Sequence, residues 1–65
     1  PNPVYHELFV ESVHSIGNWV IYDASGREVL TGSEESSKCW IDISMLTNGS
    51  YTFELDLRAI VFIKI

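Results

Sequence analysis

Apolar and polar residues alternate along this chain far more often than they recur at helical spacing. No stretch carries apolar residues at i, i+3, i+4 and i+7 between capping residues. Short runs rich in Val, Ile, Phe, Tyr and Trp are instead separated by clusters of Gly, Asn, Asp and Ser, the pattern of an all-β domain. The first strand is expected over Glu7–Val13, with Leu8 and Val10 on one face. The second covers Asn18–Tyr22, where Trp19 and Ile21 share one face and Val20 and Tyr22 the other, so it reads as a central strand. Asp23-Ala24-Ser25-Gly26 is a tight turn, with Asp bonding its own backbone and Gly free to take φ > 0. Arg27–Thr31 returns as the second arm of that hairpin.

Gly32–Lys38 is polar throughout and reads as a mobile loop. A strand over Cys39–Ile43 follows, with Ile41 and Ile43 inward and Asp42 outward. Ser44-Met45-Leu46 breaks the alternation as a short helical turn, which Ser44 is expected to cap. Thr47-Asn48-Gly49 is the strongest turn signal. Tyr51, Phe53 and Leu55 then alternate with Thr52, Glu54 and Asp56 as a half-buried strand. The last strand, Ala59–Ile65, is expected to anchor Val61, Ile63 and Ile65 in the core and to project Phe62 and Lys64 from the opposite face at a sheet edge. Six or seven such strands predict a small immunoglobulin-like antiparallel β-sandwich, with Trp19, Ile21, Ile41, Ile43, Tyr51, Phe53 and Val61 buried together.

At 65 residues the chain makes a single domain. A chain of this size buries a modest fraction of its surface, so its stability rests on packing. Cys39 is the only cysteine, which excludes an internal disulfide, and it reads as a small strand hydrophobe. The formal charge of −5 argues against nucleic acid and anionic membranes, which select basic surfaces. The longest uncharged apolar run, Ala59–Ile63, is too short for direct membrane insertion. No signal peptide is visible, and Pro1 follows no initiator methionine, so the chain reads as a fragment of a larger protein.

Little in the chain suggests catalysis. His6 and His14 lie at the two ends of one strand near Glu7 and Glu11, without a third ligand, and read as surface histidines. Ser, His and Asp all occur, but a triad needs a rigid pocket and an oxyanion hole that so small a sandwich cannot house. Gly26 and Gly49 read as turn positions outside any phosphate-cradling motif. Trp19, Trp40, Tyr22 and Tyr5 could form a sugar-stacking platform, but in a small domain aromatics are chiefly core. The chain is therefore expected to be no enzyme and to carry no cofactor or metal.

Three pieces stand in order: Pro1-Asn2-Pro3 before a strand, Ile21-Tyr22-Asp23-x-x-Gly26-Arg27-x-Val29, and Ile41-Asp42-Ile43-Ser44-x-Leu46-x-x-Gly49-x-Tyr51. Together they resemble the C-terminal sorting domain of type IX secretion substrates, over essentially the whole chain. The resemblance implies a non-catalytic signal at the C-terminus of a larger exported protein. Its partners would be proteins of the secretion machinery and, on some cargos, a sortase-like protease that removes the domain. The cargo would pass through the periplasm to the outer membrane surface or the extracellular space. The final strand departs from the family pattern, because the connection Asp56-Leu57-Arg58 is short and Ala59-Ile60-Val61-Phe62 is apolar where basic residues are common.

Recognition is expected at that strand, through Arg58, Phe62, Lys64 and Ile65, because an exposed terminal strand offers backbone groups for strand addition. The same edge would permit self-association. The competing reading is a carbohydrate- or protein-binding sandwich module of a secreted surface protein.

Overall fold

The structure is a computed structural model, and it describes residues 3–56 and 58–65. Six strands form, β1 (Glu7–Glu11), β2 (Gly17–Tyr22), β3 (Glu28–Glu34), β4 (Lys38–Asp42), β5 (Gly49–Leu55) and β6 (Arg58–Lys64). They make a four-stranded sheet in the order β3-β2-β5-β6 and a two-stranded sheet of β1 and β4, every pairing of strands antiparallel. The expected all-β architecture is therefore present, with β2 central as its two apolar faces require.

The sheets close over one core of Val4, Leu8, Val10, Ile16, Ile21, Ile41, Ile43, Tyr51, Phe53, Leu55 and Phe62. Trp19 packs against it half-buried, its ring centroid 5.8 Å from that of Phe53. Gly32 lies opposite Trp19 on β3, and a Cβ at this position would overlap the indole. Glycine is thus needed there to let the ring lie flat across the neighbouring strand.

Several expectations change. The first strand stops at Glu11, two residues short of the expected end, although Ser12 N–H still donates in register to the Ser37 carbonyl at 2.8 Å. The polar stretch expected as a loop is half strand, since Gly32, Ser33 and Glu34 pair with Trp19, Asn18 and Gly17. Polar residues suit this strand because it is an edge of its sheet. The turn that follows is tied down, Ser36 N–H donating to Glu34 Oε2 at 3.1 Å and Ile16 N–H to the Ser36 carbonyl at 3.0 Å. Ser44–Leu46 forms a single turn, closed by Leu46 N–H on the Ile43 carbonyl at 3.0 Å. Ser44 does not accept from the backbone as a cap. Its hydroxyl donates to Asp42, which is the residue that accepts.

The face assignment of the last strand is reversed. Phe62 and Lys64 are 1% and 7% exposed, whereas Val61 and Ile63 are 59% and 47% exposed. Apolar residues on both faces of β6 leave alternation silent about which faces inward. Packing decides for the larger side chain, and Phe62 stacks on Tyr51 with centroids 5.7 Å apart. Lys64 follows in the same phase. Its ammonium donates to the Ile65 carbonyl at 3.1 Å, which keeps the charged head hydrogen-bonded. Trp40 and Tyr5, expected in the core, are exposed as well.

Candidate recognition surface

Two of the three sequence pieces build turns. In the first, Asp23 Oδ1 accepts from Ser25 N–H at 3.0 Å, Ser25 Oγ at 2.6 Å and Arg27 N–H at 2.9 Å. Gly26 closes the turn onto the Asp23 carbonyl at 2.9 Å with φ at 87°, a region open to glycine. The Ser25 hydroxyl, then the Arg27 amide, hold the Asp23 pKa down at about 2. The second piece repeats the device in the arch from β4 to β5. Asp42 Oδ1 accepts from Ser44 N–H at 2.9 Å and Ser44 Oγ at 2.7 Å, which lowers its pKa. At the far foot of the arch Tyr51, its ring buried, donates its hydroxyl to the Thr47 carbonyl at 2.6 Å. Ile41, Ile43 and Leu46 pin the arch to the core from within.

The third piece bears on β6. Of it, Pro1 and Asn2 lie outside the described residues. Val4 forms a parallel bridge with Lys64, its N–H donating to the Ile63 carbonyl at 2.8 Å and its carbonyl accepting from Ile65 N–H at 2.9 Å. The backbone of Val4 therefore faces β6, and the ring nitrogen of Pro3, with no N–H to offer, faces away. Val4 thus pairs with the C-terminal end of the β6 edge.

The rest of the edge follows from the same two hydrogen bonds. Ile63 and Ile65 direct backbone groups away from β5, so Val61 and Ala59, two and four residues earlier, do the same. Arg58, Ile60 and Phe62 direct theirs to Leu55, Phe53 and Tyr51 of β5. Val61 and Ala59 have no strand partner on that outer side among the described residues. The hairpin joining β5 to β6 is tight, with Asp56 at φ 49° just after Leu55, which pairs with Arg58. Leu57 lies outside the described residues.

The four residues singled out in the sequence thus divide. Arg58 is exposed at the start of β6, Ile65 is exposed at its end on the outer face, and Phe62 and Lys64 are buried on the inner face. Sequence reasoning missed the outer strip of Val61 and Ile63, which neighbours Thr52 and Ser50 of β5. The register Tyr51–Phe62 could have revealed it, because a Tyr already placed inward brings its partner inward. Beside the strip, Tyr22 donates to Glu54 at 3.4 Å, and the Glu54 charge raises its pKa.

Among the described residues no group of three or more His, Cys, Asp or Glu could hold a metal. Burial, then the Glu34 charge, pushes the Cys39 thiol above its ordinary pKa, away from the reactive thiolate. An apolar cavity of about 150 Å³ lies between β1 and β6, lined mainly by Leu8, Phe9, Val10, Phe53, Ile60 and Phe62. No helix is long and apolar enough to cross a membrane among the described residues.

No curated protein and no solved structure shows significant similarity to the chain. The family model described as "Secretion system C-terminal sorting domain" matches residues 1–64. With that match spanning the three turn and edge pieces, the chain belongs to the family of C-terminal sorting domains, the sorting signals of type IX secretion.

Proposed function

We propose that this chain is a non-catalytic sorting signal that the secretion machinery reads at the open edge of β6, moving the attached cargo from the periplasm across the outer membrane. The machinery protein adds a strand alongside Ala59–Val61, over an exposed strip of Val61, Ile63 and Ile65, with Arg58 at its end. Phe62 and Lys64 hold the strand in place from behind. Removal of the domain by a sortase-like protease would follow on the far side of the membrane.

The observation that carries this reading is the half-covered edge. Natural sheets blunt a free edge with charge, proline or a covering segment. Here Val4 covers one end, and Ala59 and Val61 keep outward backbone with no strand partner among the described residues, beside bare aliphatic side chains. Strand addition uses such an edge, main-chain bonds supplying affinity and alternate side chains specificity.

Replacing Val61 with proline tests it. The Val61 N–H points away from β5, so its loss breaks no bond within the sheet, and proline is tolerated at such edge positions. Ile60 is already extended, as a residue before proline must be. V61P in an exported cargo should leave the domain folded and the cargo in the periplasm. Normal export of V61P would overturn the edge reading.

A further inference from the structure

The outer face of the two-stranded sheet takes no part in the sorting reading and carries a different chemistry. Leu8, Val10 and Ile41 point inward, which leaves Glu7, Phe9 and Glu11 of β1 outward beside Lys38, Trp40 and Asp42 of β4. They stand opposite one another as Glu7–Asp42, Phe9–Trp40 and Glu11–Lys38, within side-chain reach across the strands. The central rings lie 4.7 Å apart and tilted by 43°, and Trp40 is 65% exposed. A small domain short of core has placed its largest side chain in water.

The flanks are unequal. At one end Lys38 Nζ lies 3.7 Å from Glu11 and neutralises it. At the other end Glu7 and Asp42 face each other, and like charges directly opposite destabilise a sheet. Among the described residues no lysine or arginine lies within ion-pair distance of either carboxylate. Asp42 stays ionised at neutral pH, because the Ser44 hydroxyl and amide favour its charged form.

We propose that this strip docks an arginine side chain from a basic segment of a partner protein, its guanidinium over Trp40 and Phe9 and its N–H groups directed to Glu7 and Asp42. A cation over an indole face is attracted by the ring quadrupole. The planar fork of arginine suits paired carboxylates and also stacks on aromatic rings, which a lysine ammonium does not combine. The two rings are tilted by 43°, so they do not form the broad flat plate that a sugar ring would stack on. The net charge of −5 steers a basic segment towards the domain as a whole.

An amide chemical-shift titration of the 65-residue chain checks this, using a short arginine-rich peptide, its lysine counterpart and a neutral malto-oligosaccharide. The arginine peptide should shift the Trp40 indole N–H and the amides of Glu7, Phe9 and Asp42, more tightly than the lysine peptide. Trp40→Ala should weaken binding about fivefold, the worth of an exposed cation–π contact. If that variant loses the fold with its cross-strand ring pair, Glu7→Lys decides the matter. It places a lysine opposite Asp42, so it should fold at least as well as the parent and still bind the arginine peptide several-fold more weakly. Shifts spread over all the carboxylates and unaffected by Glu7→Lys would overturn the proposal. So would shifts of Trp40 by the oligosaccharide but not by the arginine peptide.

Discussion

The Asp23 and Asp42 turns and the β6 edge use their polar groups in opposite ways. At each turn one aspartate oxygen collects two or three donors, and the adjoining backbone closes on itself. Along β6 the arrangement is reversed, because Ala59 and Val61 direct backbone groups outward with no strand partner there among the described residues. Two of the three pieces by which the chain is recognisable as a sorting domain lie in the first region and are spent on shape. The surface best suited to a partner lies in the second, where the chain is least distinctive. On the proposed reading the machinery meets that open edge, and Tyr51, at the foot of the second turn, backs it by stacking on Phe62.

The largest effect should come from joining the two regions through the core. Phe62 is buried on the strand whose other face is exposed. Phe62→Ala should cost about 3–5 kcal/mol, within reach of the roughly 5–15 kcal/mol total of an ordinary domain. Denaturant unfolding should find the isolated domain largely unfolded, and secretion should fail with it. A variant that melted with the parent would mean that β6 faces the other way.

Lys64 gives the next largest effect and separates charge from burial. Lys64→Glu would set a buried carboxylate beside the Ile65 carbonyl that now accepts from the ammonium, leaving both oxygens without a donor. It should be strongly destabilising. Lys64→Met keeps the length, removes the charge and should change stability by less than about 1.5 kcal/mol. Export by Lys64→Met at the parental level would show that the machinery reads the edge and not this cation.

How much of this was legible beforehand depended on whether one face of a strand was polar. Tyr51–Leu55 alternates with Thr52 and Glu54, and its inward face was read correctly. Asp23 and Gly26 declared their turn through side-chain chemistry that acts within four residues. On β6 every position from Ala59 to Ile63 is apolar, so the local pattern holds no information on direction and only the pairing with Tyr51 supplies it. Lys64 misled for the converse reason, since a long stem can be buried while its head finds a carbonyl. The Phe9–Trp40 pair was missed because it exists only once β1 and β4, far apart in sequence, are aligned in register.

The Asp23 turn should appear in the acid limb of stability. Its folded pKa is about 2 against an ordinary 3.8, so the turn prefers the ionised form. Its contribution is complete above the unfolded value and is lost as pH falls from near 3.8 towards about 2. Asp42 acts in the same direction. Asp42 is exposed and Asp23 lies at the surface half-buried, so the effect on melting temperature should be a few degrees at most. Asp23→Asn should melt slightly below the parent at neutral pH and lose less on acidification. Parallel acid limbs for the two proteins would show that the charge at this turn contributes nothing.

The smallest change in stability should accompany a visible change in export. Val61→Thr swaps one methyl group for a hydroxyl and keeps the β-branched shape that suits a strand. In a core this substitution is costly, because the hydroxyl must be desolvated. At a position 59% exposed the hydroxyl stays hydrated, so folding should move by no more than about 0.5 kcal/mol. A partner strand laid against the edge would instead have to strip water from that hydroxyl, and the strip would lose part of its apolar contact. Thermal melts should therefore superimpose on the parent while less cargo reaches the cell surface. An export defect accompanied by an equal loss of melting temperature would instead place Val61 among the residues that build the fold, and the contrast between the turns and the edge would fail at its most exposed position.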